Sequence, residues 1–125
     1  MEFNKHQSIY LQIADFICEN VMTEKWPSDE KISSVRELAA NMEVNPNTVM
    51  RAYSQLQDEG IIYNKRGIGY FVSEGASKKI KDMEKEDFIN NELPKIFKKM
   101  KMLNIKFSEL EELYNKTSNG KTNIS

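Results

Sequence analysis

A chain of 125 residues with 39% hydrophobic and 30% charged side chains is the size of one domain with a short appendage, and it folds rather than remaining a disordered polymer. One cysteine, Cys18, and one histidine, His6, exclude an internal disulfide and leave almost no material for a metal site or a histidine-based catalytic centre. No glycine-rich phosphate loop, Ser/His/Asp set or CxxC pair occurs, so neither an enzyme nor a cofactor is expected.

No apolar run approaches the roughly 18 residues of a membrane span, and the N-terminus lacks the basic start and apolar stretch of a signal peptide. A cytoplasmic protein without a membrane partner is expected. The formal charge of −1 neither demands nor forbids a polyanion, but its distribution is uneven. Residues 1–75 carry seven basic and eleven acidic side chains, residues 76–125 eleven and eight. Binding to nucleic acid must therefore use a local cationic face.

Ile9, Ile13, Phe16, Ile17 and Val21 recur at helical spacing and predict an amphipathic helix over 8–22. After a polar turn, Lys31-Ile32-Ser33 reads as a short extended link. Ser34 followed by Glu37 is a capping box that starts a second helix, with Val35, Leu38, Ala39 and Met42 inward and an end near Glu43. Asn45-Pro46 then reads as an N-cap with proline in the first turn of a third helix, running to about Glu59. On a helical wheel Val49, Ala52, Tyr53 and Leu56 form its core side, and Asn47, Arg51, Ser54 and Gln55 its polar side.

Ile61-Ile62-Tyr63 and Tyr70-Phe71-Val72 predict two strands joined by the basic, glycine-containing tip 64–69. Beyond Gly75 the chain turns Lys- and Glu-rich. Ser77 is expected to cap a helix there, and Ile89, Leu93, Ile96, Met100 and Leu103, widened by Phe88 and Phe97, make an a/d-like stripe. Pro94 interrupts it, predicting a kink or restart near Asn90-Asn91. Ser108 and Glu111 form a second capping-box pattern for a last helix, and the tail from 117 to 125 is expected to be disordered.

Helix, helix, turn, helix and hairpin within about 75 residues is the plan of a winged helix-turn-helix domain. The expected fold class is mainly α with a small β-hairpin: a winged helix-turn-helix domain over 1–75, then C-terminal dimerisation helices over 76–116. The runs IYLQIA (9–14), SVRELA (34–39), VNPNTV (44–49), RAY (51–53) and KRGIGYFV (65–72) resemble the N-terminal domain of the GntR family of bacterial transcriptional regulators. NPNTV followed by RAY, with about fifty residues beyond the wing, is similar to the YtrA-like branch, whose short C-terminal helices dimerise and whose members often repress ABC-transporter operons.

That resemblance implies a dimeric repressor of double-stranded DNA, with backbone contact at Arg36, a reading helix starting at Asn45, Asn47 and Thr48, and a minor-groove wing at Arg66 and Gly67. Many relatives carry Arg where this chain has Pro46, and some where it has Met50, so their base contacts do not transfer. Arg51 is the available guanidinium, and arginine suits bidentate contact with guanine. Ser54, Gln55 and Lys65 complete the expected DNA-binding set. Ile89, Leu93, Ile96, Phe97, Met100 and Leu103 are the expected dimer interface.

Plainer readings stand beside these. Arg51 and the lysines at 95, 98, 99 and 101 fit solvated helix faces, Arg36 fits an ion pair, and Lys65 and Arg66 fit edge protection of a hairpin. Trp26 reads as a packing residue, Cys18 as a partly buried helix residue, and His6 as part of a frayed end. A protein-interaction module on the same fold and a small-molecule sensor with a ligand between helices are the competing functions.

Overall fold

The computed structural model describes Phe3 and residues 6–118. The expected disordered tail falls largely outside the described residues, although Thr117 and Ser118 belong to a helix. The chain divides into two compact units, Met1–Glu84 and Lys85–Ser125.

In the first unit, α1 (Ile9–Met22), α2 (Val35–Met42) and α3 (Pro46–Asp58) precede the antiparallel pair β1 (Ile62–Lys65) and β2 (Gly69–Val72). Ile62 pairs with Val72 and Lys65 with Gly69, so the turn proper is Arg66-Gly67-Ile68. The link at 31–33 joins this hairpin as a third, minimal strand. Lys31 bridges Phe71, and the Ile32 N–H donates to the Tyr70 carbonyl at 2.9 Å.

The core is built from the inward faces expected from periodicity, except that Ile9, counted on the α1 stripe, is exposed. Ile13, Ile17, Val21, Leu38, Ala39, Val49, Ala52, Tyr53, Leu56, Ile61, Ile62 and Val72 are all buried. Phe16 and Trp26 pack edge to face at 5.9 Å against this core, the structural role expected of Trp26.

The first unit does not end at residue 75. Ala76 and Ile80, in α4 (Ala76–Asp87), are 1% and 3% exposed and belong to the same core. Ser77 does not cap α4. Its hydroxyl donates to the Met22 carbonyl at the end of α1, 3.0 Å away, while the Gly75 carbonyl starts the helix by accepting from the Lys79 N–H. The Lys79 ammonium donates to the Glu59 carbonyl at the end of α3. The early turns of α4 thus tie down the C-termini of two core helices, where carbonyls lack partners within their own helix.

In the second unit, a π turn over Phe88–Glu92 leads into α5 (Leu93–Met102), and α6 spans Phe107–Ser118. The Leu93 N–H donates to the carbonyl of Phe88, five residues back. This wider turn is how the backbone accommodates Pro94, which has no N–H for the Asn90 carbonyl and would press on it in a regular α-helix. The break falls where it was expected and is a π turn. Ser108 is inside α6 rather than at its cap. The Lys106 carbonyl accepts from Glu109 and Leu110, so the helix begins two residues before the capping-box pattern proposes.

Ile80 gives a direct test of the boundary. Ile80→Ala should destabilise the first unit by about 2–4 kcal/mol through lost burial and an unfilled cavity. Urea unfolding of the chain ended after Glu84 should remain cooperative, and ending it after Gly75 should lower the midpoint at least as much as Ile80→Ala does.

Candidate nucleic-acid interface

The placement of α3 follows from its first turn. Asn45 is the N-cap, its Oδ1 accepting from the Asn47 N–H at 2.8 Å, and Pro46 follows with its φ already suited to a helix. Upstream, Ser34 Oγ accepts from the Glu37 N–H and Glu37 Oε1 from the Ser34 N–H, each at 3.1 Å, so the expected capping box is complete. The turn between α2 and α3 closes with Glu43 in the left-handed region at φ 57° and the Val44 N–H on the Ala39 carbonyl.

Tyr53 fixes the rotation of α3. It is fully buried, and its hydroxyl donates to the Ser33 carbonyl at 2.6 Å. Burial pushes this phenol far above its ordinary value, helped by Tyr70 and Glu37, so it remains a donor across the physiological range. Its ring meets Tyr70 of β2 edge to face at 4.8 Å. The hairpin is thereby braced against the same helix.

With the core side locked, Asn47, Met50, Arg51 and Ser54 face outward and are exposed, and Thr48 is half-buried beside them. Gln55 is not part of that outer face. It is half-buried, donates to Glu59 Oε1 at 3.1 Å, and lines a cavity of about 190 Å³ with Leu11, Cys18 and Ile80. Burial, with smaller contributions from Glu59, Asp15 and Glu84, pushes the Cys18 thiol up to about 12, so it stays protonated near neutral pH.

Arg36 is exposed on α2, and Lys65, Arg66, Gly67 and Ile68 are exposed on the wing. Gly67 adopts φ 79°, which its turn requires and which side chains rarely take, while nothing lies within 4 Å of where its Cβ would be. Gly69 is likewise held at φ 141°, where side chains are rare, and a Cβ there would meet only the movable end of Lys31. Lys65 Nζ rests 4.8 Å from the Phe71 ring, which itself stacks on Tyr63.

Among the described residues the ion pair is Lys78–Asp82 at 2.7 Å, so Arg36, Arg51, Lys65 and Arg66 carry no carboxylate partner. Three outer residues were given no role from the sequence. Met50 and Ile68 are 43% and 59% exposed, and Tyr10 lies under the guanidinium of Arg51 at 3.8 Å. Met50 and Ile68 are solvated hydrophobes without a periodic signal, and Tyr10, although at helical spacing from Ile13 and Ile17, carries nothing in the sequence that announces its contact with Arg51.

A helix presented outward by a helix-turn-helix, with a hairpin beside it and free cations on both, defines a winged helix-turn-helix protein of the DNA-binding kind. The chain belongs to the GntR family: residues 9–72 match "Bacterial regulatory proteins, gntR family". It is similar along most of its length to YhcF of Bacillus subtilis (strain 168), an uncharacterized HTH-type transcriptional regulator, at 37% identity over 89% of this chain and 90% of that one. The HTH-type transcriptional repressor YtrA of the same organism is 44% identical over 54% of this chain and 52% of its own. A solved structure of a GntR-family regulator from Bacteroides thetaiotaomicron superposes with a TM-score of 0.78 at 41% identity, covering 92% of this chain and all of that one. No helix among the described residues is long and apolar enough to cross a membrane.

The capping box makes the support of Arg36 pH-dependent. Backbone and side-chain hydrogen bonds to Ser34 hold the Glu37 carboxylate below its ordinary 4.5. A carboxylate depressed in the folded state adds stability above its unfolded value and loses it as pH falls through the folded one. The difference in thermal midpoint between wild type and Glu37→Ala should be largest above the ordinary carboxylate range, about pH 5, and narrow as the pH falls below it.

Proposed function

We infer that this protein is a homodimeric, sequence-specific repressor that places α3 in the major groove and the wing against the adjacent minor groove or backbone. What supports this reading is one arrangement: Arg36 on α2, Arg51 on the outer side of α3, and Lys65 and Arg66 on the wing are exposed and, among the described residues, without carboxylate partners, while the inner side of α3 is buried. Unpaired cations at the surface of a unit that is acidic overall gain most from a polyanion. Arg51 would read a base, Asn47, Thr48 and Ser54 would complete the face, and Arg36 and the wing would hold phosphates. By the resemblance to the YtrA-like branch, its targets would be transporter operons.

Dimerisation is supported by the second unit. Ile89, Ile96, Phe97 and Leu103 are 40–59% exposed and Leu93 is half-buried, joined by Phe88, Met102 and Phe107. Met100, expected in the same interface, is only 9% exposed and is already covered by its own chain. An apolar surface this dense on so short a segment requires a cover, and a second copy supplies one while presenting two reading helices to half-sites about 34 Å apart.

Gel shifts titrated with salt test the DNA assignment. Arg51→Ala should weaken binding to the preferred duplex by about 1–3 kcal/mol and relax discrimination at one base pair. Lys65→Ala with Arg66→Ala should instead weaken all duplexes evenly and reduce the salt slope by about one or two. Binding without salt dependence or sequence preference would favour a protein-interaction module.

The dimer has its own readout. Light scattering at micromolar concentration should give twice the chain mass, and the chain ended after Glu84 should be a monomer that binds one half-site weakly. A monomeric full chain, or a shortened one that keeps full-site affinity, contradicts the dimer.

A further inference from the structure

Tyr10 stands on the buried stripe of α1, three residues before Ile13 and seven before Ile17, yet it is only half-buried, and its ring lies beneath an exposed arginine of a different helix. Arg51 Cζ lies 3.8 Å from the centroid of the Tyr10 ring, the separation of a stacked cation and aromatic face. We propose that Tyr10 is a positioning residue for sequence reading: its ring holds the Arg51 guanidinium in place at the α1 edge of the reading face. The proposal rests on Arg51 being the base-reading side chain.

The chemistry favours a ring over a charged partner. A carboxylate would orient Arg51 by taking up the N–H donors that a guanine needs, and would oppose the incoming phosphates. An aromatic face attracts the cation through its quadrupole and uses none of those donors, which lie in the guanidinium plane and stay open at its edge. Among the described residues no carboxylate is within ion-pair distance of Arg51, so the ring is its charge-complementary neighbour. Arginine is otherwise a long, rotamer-rich side chain, and one held before binding has less freedom to lose on the DNA. Water leaving the interface then strengthens the contact that holds it.

Lys65 over Phe71 at 4.8 Å is the instructive contrast. An ammonium is a point charge without a planar fork, so the same kind of contact in the wing fixes where the charge is but offers no bidentate geometry to a base.

The experiment uses the full chain and a duplex selected from a randomised pool by the wild-type protein. Tyr10→Leu and Tyr10→Met should weaken binding about three- to fivefold and flatten preference at the base pair that Arg51→Ala flattens, while Tyr10→Phe should stay within about twofold of wild type. In an Arg51→Ala background Tyr10→Leu should have no further effect. Equal urea midpoints establish that the variants fold, and Tyr10→Met serves if Tyr10→Leu lowers its midpoint.

A Phe variant as weak as the Leu variant would assign the effect to a hydroxyl contact and overturn the proposal, as would a Tyr10→Leu loss that persists without Arg51. If Arg51→Ala changes neither affinity nor preference, the assignment of Arg51 fails and this inference with it. If Arg51→Ala is impaired and Tyr10→Leu is not, only the role of Tyr10 falls.

Discussion

Tyr53 is the interaction on which the recognition surface depends. Its ring fills the centre of the first core, its hydroxyl reaches the Ser33 carbonyl just before α2, and its edge meets Tyr70 on the wing. One side chain therefore sets the rotation of α3, the approach of α2 and the position of the hairpin. A buried phenol without a partner would be unfavourable by a kcal/mol or more, so the bond to Ser33 selects this packing over others of similar apolar burial. Asn47, Met50, Arg51 and Ser54 are exposed because the opposite side of the helix is fully occupied.

The same logic explains how an acidic unit presents a cationic face. Net charge is a property of composition, whereas a polyanion meets only the side chains that packing turns toward it. In residues 1–75 the acids outnumber the bases, but Glu37 is engaged with the cap of α2, Glu59 accepts from Gln55, and Asp15 accepts from Gln7 at 3.1 Å. The four cations on α2, α3 and the wing have no such engagement with carboxylates among the described residues. Several carboxylates tied into local hydrogen bonds beside cations left open on one face is a distribution that counting charges cannot register.

What was legible in the sequence is what is locally determined. The Ser34–Glu37 box, the Asn45–Pro46 start and the core sides of α2 and α3 are short-range patterns that form as written, and that of α1 forms except at its first turn, where Ile9 is exposed. Ser77 and Ser108 carry the same chemistry and fail as caps. At Ser77 the reason is long-range: Ala76 and Ile80 must bury, which sets where α4 begins and leaves the hydroxyl to the carbonyl of Met22, fifty-five residues earlier in the chain. Gln55 was misplaced for a related reason. A wheel drawn for α3 alone assigns it to the polar side, but it bonds Glu59 one turn further along the same helix and lines a cavity with Leu11 of α1 and Ile80 of α4. The contact of Tyr10 with Arg51 joins two helices across forty-one positions and leaves no periodic trace.

The composition of the proposed reading face constrains how such a protein would achieve specificity. Its outward residues offer one guanidinium, an amide, hydroxyls and the thioether of Met50, with Pro46 supplying helix geometry in place of a side chain that reaches a base. Each base pair read this way is worth only about 1–3 kcal/mol of discrimination, and a single such face reads few of them. In the proposed dimer the second face is delivered at high effective concentration, so two modest readers act as one selective one without any added contact. Under that arrangement the precision with which Arg51 is held matters twice, because any looseness in one copy is repeated by symmetry in the other.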